Sequence, residues 1–246
     1  DIVLLIDPYL SNFLAKKYKG KEFPHVRMMD PPLAPEEVRN ITLVLCSHKH
    51  SDHMDPETIL PIARNNPDCT FVIPQAELAW GYELGLPDSQ IYGMNAGETY
   101  TPVDDITIKA IPSAHEELKM NARGKHHFLG YIVTLGDVTF YHSGDCLPYP
   151  GLEEWLQPQA ADVALLPVNG RDEFRRSRNV PGNFRLEEAV ALCHQANIPI
   201  MLGHHFGMFD FNTVDPDEAE QRFQQIRGEL QGGLAKHHVK YVFLPE

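Results

Sequence analysis

Apolar positions in this chain fall in short runs, each cut off by a polar turn rich in Asp, Asn, Gly or Pro. Ile2 to Ile6 stops at Asp7-Pro8, and Ile41 to Cys46, partly β-branched, stops at Ser47. Runs this short and this continuously apolar predict buried strands. Thr70 to Ile73, Gln90 to Met94 and Ile106 to Ile111 predict further strands, with Thr107 and Lys109 on an exposed face of the last. Phe128 to Leu135 and Val138 to His142 flank Gly136-Asp137 and predict a hairpin. Asp162 to Val168, Ile198 to Leu202 and Val239 to Leu244 complete the strands. Helical patterns lie between them. Pro56 to Asn65 is capped by Asp55, with Pro61 as a kink or early stop, and Gln75 to Leu84 is ended by Gly85. Gly151 to Leu156, Phe184 to Ala196 and the stretch from Asp215-Pro216 to about Leu230 complete the helices. Residues 11–40 are polar and proline-rich and predict a long loop, with at most a short helix at Glu36 to Arg39. The strand-then-helix rhythm over 41–85 and 162–246 predicts an α/β protein with helices packed outside sheets.

At 246 residues and 43% hydrophobic content, the chain can build one large α/β domain or two small ones. No apolar run approaches the ~18 residues of a membrane span, and no segment resembles a signal peptide, so neither a membrane nor export is expected. The sequence opens inside a strand. A net charge of −13 argues against long nucleic acid as a partner, because a polyanion is bound through a basic face. Cys46, Cys69, Cys146 and Cys193 show no C-x-x-C spacing and sit in or beside apolar runs, which fits reduced, buried thiols in a cytoplasmic protein.

The chemistry is concentrated after the second strand, where His48, His50, Asp52 and His53 follow within six positions of Ser47. Ligand-binding residues of α/β proteins gather at the C-terminal ends of strands. If the chain stays extended past Ser47, His48 and His50 project to the same side. Asp52 and His53 come as the chain turns, facing a second point nearby. Three further residues able to bind metal also follow strands: His115 after Ile106 to Ile111, Asp145 after Val138 to His142, and His204 after Ile198 to Leu202.

The string His48-x-His50-x-Asp52-His53 after an apolar strand resembles the signature of the metallo-β-lactamase fold superfamily of metal-dependent hydrolases. The surroundings are most similar to the branch containing L-ascorbate-6-phosphate lactonase. This resemblance covers nearly the whole chain. It implies an α/β four-layer αββα sandwich, formed as a single domain over residues 1–246. The strands that precede the first hairpin in the family are not in this sequence, so one sheet is expected to be incomplete. The resemblance also implies that Asp7 supports the metal-binding loop, and that two divalent metal ions are held. His48, His50 and His115 would hold one ion and Asp52, His53 and His204 the other, with Asp145 bridging and His205 facing the substrate. Imidazole and carboxylate donors suit zinc, manganese or iron.

From such a pair of metals follow a shared hydroxide near neutral pH and polarisation of a carbonyl or phosphoryl oxygen. Asp52 would be the catalytic residue that orients the hydroxide or takes its proton. Substrate contacts are expected from Asn169 and Arg171, which follow a buried strand, and from His205 and His127. Arg171, Arg175, Arg176 and Arg178 form a basic cluster in an acidic chain. The leading expectation is a hydrolase acting on a small anionic metabolite, such as a phosphorylated sugar lactone. A phosphodiesterase or nuclease acting on a short or cyclic nucleotide is the alternative, and a non-catalytic metal-binding sensor or scaffold a third. A homo-oligomer stays open.

Overall fold

Strands such as Leu43–Leu45 and Val163–Pro167 are apolar runs whose side chains are largely withdrawn from water, while others, such as Thr99–Tyr100 and Gln231–Leu234, stay partly exposed. The computed structural model describes residues 2–243, which divide into two compact units. The first comprises residues 2–96 with 119–129, and the second residues 97–118 with 130–243.

In the first unit, β1 (Leu4–Ile6) is followed by α1 (Phe13–Lys17), β2 (Leu43–Leu45), α2 (Pro56–Asn65), β3 (Thr70–Pro74), α3 (Leu78–Leu84) and β4 (Ile91–Met94). Among the described residues these strands form one sheet in the order β1-β2-β3-β4, every neighbouring pair parallel. The register sets Leu5 opposite Val44 and Val44 opposite Phe71. A parallel pair needs a crossover, which α2 supplies between β2 and β3. Leu43, Val44 and Leu45 are each at most 1% exposed, so each side chain contributes about 1.5–3 kcal/mol of transfer free energy. Met54, Ile59, Ile62, Phe71 and Ile73 fill the core around them.

Asp55 caps α2 by accepting the Thr58 N–H at 3.0 Å, and Pro56 takes the first helical position. Pro61 does not stop this helix. It is itself buried with Ile59, Ile62 and Ala63, and their packing outweighs the lost backbone bond. Gly85 ends α3 in the left-handed conformation, φ +95°, as a helix C-terminal glycine does.

Residues 11–40 depart from the predicted loop. Helix α1 forms there around one buried side chain, Leu14, whose N–H donates to the Tyr9 hydroxyl at 3.1 Å. The short helix expected at Glu36 to Arg39 is a 3-10 turn over Pro35–Glu37.

The second unit opens with β5 (Thr99–Tyr100), β6 (Ile106–Pro112) and the hairpin β7 (Leu129–Leu135) and β8 (Val138–His142). There follow α4 (Leu152–Leu156), β9 (Val163–Pro167), α5 (Glu173–Arg176), α6 (Leu186–Ala196), β10 (Ile200–His204), α7 (Pro216–Ile226) and β11 (Gln231–Leu234). Their sheet runs β11-β10-β9-β8-β7-β6-β5 among the described residues. Strands β8 to β11 are parallel to one another, and the β7–β8 hairpin is antiparallel. Tyr141, Leu166, Phe184, Met201 and Phe223 centre its core.

The C-terminal elements differ from expectation. Helix α7 ends at Ile226, and the last strand is β11 rather than Val239 to Leu244; residues 239–243 carry no strand, and residue 244 lies outside the described residues. Strand β11 runs so close to β10 that a Cβ at Gly232 would sit 2.0 Å from the Met201 carbonyl oxygen. Only glycine fits there, and glycine is a poor strand signal in sequence. Among the described residues no helix is long and apolar enough to cross a membrane.

Candidate metal centre

Strand β2 ends at the polar turn Ser47 to Met54, which is tied down at several points. The N–H groups of His53 and Met54 donate to the His50 carbonyl at 2.9 and 2.8 Å, and Leu129 donates to the Ser47 carbonyl at 3.0 Å. The His48 and His50 rings lie 4.5 Å apart and the His48 and His53 rings 4.1 Å apart. Phe128 packs against both His48 and His50, at 5.2 and 5.8 Å between ring centres. His53 Nε2 is 3.6 Å from an Asp52 carboxylate oxygen.

Asp7 orients this turn. The residue bends the chain after β1 at φ +45°, an uncommon conformation outside glycine. One carboxylate oxygen accepts the Ser47 N–H at 2.6 Å, and the other accepts the Ser47 hydroxyl at 2.6 Å and lies 2.9 Å from His53 Nδ1. The Ser47 hydroxyl in turn lies 2.9 Å from His48 Nδ1. Both imidazoles are therefore held through Nδ1, the outer-sphere arrangement that metal-binding histidines use.

In the second unit, β6 and β8 deliver His115 and Asp145, each 4% exposed. Gly144 takes φ +61° and so turns the chain immediately before Asp145. The Ser113 hydroxyl donates to the Asp145 carbonyl at 2.9 Å, and Leu147 donates to the Ala114 carbonyl at 2.7 Å, which locks the two strand ends together. The Asp145 carboxylate addresses two imidazoles with its two oxygens. His115 Nε2 is 3.8 Å from Oδ2, and His205 Nε2 is 3.1 Å from Oδ1.

His204 occupies a different position from the expected one. Its ring stacks on His142 with centres 4.9 Å apart, and its Nε2 is buried without a hydrogen-bond partner. Burial, then the neighbouring His142 and His205, hold its pKa well below the usual imidazole range. His205, at φ +63°, is the neighbour that turns toward Asp145.

Asn169 and Arg171 serve the fold. Asn169 is fully buried; its side chain donates to Asn212 at 2.8 Å and accepts from Asn183 at 3.0 Å. Arg171 is forked onto Glu188 at 2.6 and 2.8 Å. Arg175 donates to Asp172, to the Asn169 carbonyl and to Asn212. The expected basic cluster is thus largely spent on internal partners. His127 Nδ1 lies 2.5 Å from the buried Glu77, whose other oxygen is 3.0 Å from Lys49 Nζ. Neither Glu77 nor Lys49 stood out in the sequence; a Glu just after a strand is too common to signal a site. Burial pushes the Cys146 thiol up to about 11, which keeps it protonated and unlike a thiolate ligand.

Imidazoles and carboxylates gathered at the C-terminal ends of strands are the donor groups a metal-binding α/β protein uses. The model of the beta-lactamase superfamily domain matches residues 3–206, and the chain belongs to that family. A UPF0173 metal-dependent hydrolase of Pyrococcus horikoshii is 32% identical over 222 residues, covering 87% of this chain and 82% of the relative. Among solved structures, an isothiocyanate hydrolase from Delia radicum gut bacteria is similar with a TM-score of 0.75 at 19% identity, over 99% of this chain and 93% of that one. A possible metal-dependent hydrolase from Veillonella parvula reaches 0.70 at 17% identity, over 95% and 89%. At these identities the structural likeness concerns the fold.

Proposed function

We propose that this hydrolase acts on a small anionic metabolite with a carbonyl or phosphoryl centre, such as a phosphorylated sugar lactone. The donor residues would hold two divalent ions of zinc, manganese or iron. The candidate donor sets are His48, His50 and His115, and Asp52, His53, Asp145 and His205; Asp145 would be the bridge between the ions. The observation that carries this reading is the Asp145 carboxylate, whose two oxygens are directed at different histidines. A carboxylate so placed suits a bridging role. The donor set fits such ions: nitrogen and carboxylate oxygen, with His48, His53, His115 and Asp145 buried and the imidazoles pre-oriented through Nδ1 by Asp7 and Ser47.

Bound metal supplies an activated water and polarises the oxygen of the scissile bond. Asp52, half-buried at the turn, takes the proton that the attacking water loses. His204 stacks on His142. In this assignment His204 is a packing residue and His205 the ligand.

Turnover by the Mn²⁺- and Zn²⁺-loaded protein should be assayed on lactones, on bis-p-nitrophenyl phosphate and on acyl amides. Asp145→Ala is expected to abolish activity and lower the metal content. Full turnover with unchanged metal stoichiometry would refute the bridge. Hydrolysis of the phosphodiester without any lactone would replace the lactonase-like reading by the phosphodiesterase one.

A further inference from the structure

An anionic substrate bound by a chain of net charge −13 needs a local cation, and Arg171, the obvious candidate in sequence, is already forked onto Glu188. We propose that Lys49 and His127, both anchored to the buried Glu77, form the subsite for the substrate's anionic group, a carboxylate or a phosphate. This inference rests on the reading of the substrate as a small anion.

Glu77 is the centre of the cluster. Its side chain is 5% exposed, and its two oxygens are divided between Lys49 Nζ at 3.0 Å and His127 Nδ1 at 2.5 Å. Burying a carboxylate is unfavourable unless it is paired, and a single cation suffices to pair it. Here two groups capable of positive charge converge on one carboxylate. The outward groups are also the more accessible ones, with Lys49 51% and His127 20% exposed. An ammonium has three donors and an imidazolium two. With Glu77 held by Lys49 Nζ and His127 Nδ1, two donors on the Lys49 ammonium remain for a ligand oxygen, beside the outward Nε2 edge of His127.

The cluster borders the ligand turn within the same unit. Lys49 lies between His48 and His50 in the chain, and His127 precedes Phe128, whose ring packs on both of those histidines. His127 is itself fixed through its backbone, since its N–H donates to the Lys119 carbonyl at 3.0 Å. Glu77 thus fixes the direction of a lysine that would otherwise be flexible, which lowers the entropy lost on binding an anion.

The test uses the metal-free protein, so that it does not depend on turnover. Inorganic phosphate and succinate are titrated separately while the ring-proton resonances of His127, identified by their absence in His127→Gln, are followed by NMR. At least one anion should shift them saturably, and Lys49→Gln should weaken that binding about tenfold, equivalent to about 1.4 kcal/mol for one charge-assisted hydrogen bond. Lys16→Gln, which removes an ammonium paired with Glu57 at 2.8 Å, should leave it unchanged. Tighter phosphate binding would assign the subsite to phosphate esters, and tighter succinate binding to carboxylates. With the metal-loaded protein, Lys49→Gln should raise KM for an anionic substrate about tenfold and leave kcat, and a neutral ester, unaffected. Absence of any His127 response to either anion, or equal binding by wild type and Lys49→Gln, would overturn the subsite. Anion binding as expected, with no hydrolysis of any lactone or phosphodiester, would keep the subsite and refute the substrate reading instead.

Discussion

Arg171→Ala separates a guanidinium that holds the fold from one that holds substrate. Its Nη1 and Nη2 donate to the two oxygens of Glu188 at 2.6 and 2.8 Å, and Nη1 also donates to the Asn183 carbonyl at 3.1 Å. Glu188 accepts in addition the Arg185 N–H at 2.8 Å, which closes the N-terminus of α6. The two side chains are 22% and 26% exposed, so the pair lies between a surface bridge worth about 0–1 kcal/mol and a buried one whose breakage costs about 3–5. A bidentate geometry with that partial screening gives a coupling of about 1–2 kcal/mol. Truncation also leaves the Asn183 carbonyl short of a donor, for a total loss of about 2–3 kcal/mol. Urea unfolding of wild type, Arg171→Ala, Glu188→Gln and the double variant isolates the coupling. Burial raises the Glu188 pKa, but the Arg171 bond and the Arg185 N–H outweigh it and leave the group below its ordinary value of 4.5. A carboxylate with a lowered folded pKa stabilises fully above its unfolded pKa and loses that contribution as pH falls through the folded one. The stability gap between wild type and Glu188→Gln should therefore be constant near neutrality and close on acidification below about 4.5. KM should not change in Arg171→Ala. Zero coupling together with a KM raised only for anionic substrates would refute this reasoning and return Arg171 to the substrate.

Two further predictions bear on the metal ligands. His205→Gln should lower metal occupancy, measured by elemental analysis after dialysis, whereas His204→Gln should lower the unfolding midpoint and leave occupancy near wild type; the opposite pattern would restore His204 as the ligand. Asp7→Asn keeps the shape of the Asp7 side chain and removes its charge from Ser47 and His53, so metal affinity should fall about 10–100-fold with the fold intact. An unchanged affinity in a competition titration would show that the Asp7 contacts do not tune the ligands.

The strands that carry the donors were legible because their signal is local. Ile41 to Cys46 is apolar but for Thr42, and Leu43, Val44 and Leu45 from it form the buried strand. Helix α2 matches its predicted bounds of Pro56 and Asn65 because cap, first-position proline and apolar face all agree. Elements held by tertiary contact alone were not legible. Helix α1 rests on Leu14 and the Tyr9 hydroxyl, and β11 exists because Gly232 lets its backbone approach Met201. Glu188 and Glu77 lie 17 and 50 positions from their partners Arg171 and His127, so no window of sequence shows that the arginine is spent and the histidine held.

The positions of His204 and His205 show how finely a strand end decides which side chain turns. The apolar pattern places the end of this strand at Leu202, which would make His204 one of the first residues free to turn. Strand β10 in fact continues through His204, paired opposite Pro167 of β9. Side chains in a strand alternate between faces, so a shift of two positions in the end leaves His204 within the sheet, stacked on His142 from β8. His205 is then the first residue past the strand, and its left-handed φ of +63° carries the ring round to Asp145. A histidine tolerates that conformation better than a β-branched residue would, at a cost of about 1–3 kcal/mol that the surrounding contacts must offset. The same composition with the turn placed two residues earlier would present the other imidazole, which is why spacing alone could name the pair but not choose within it.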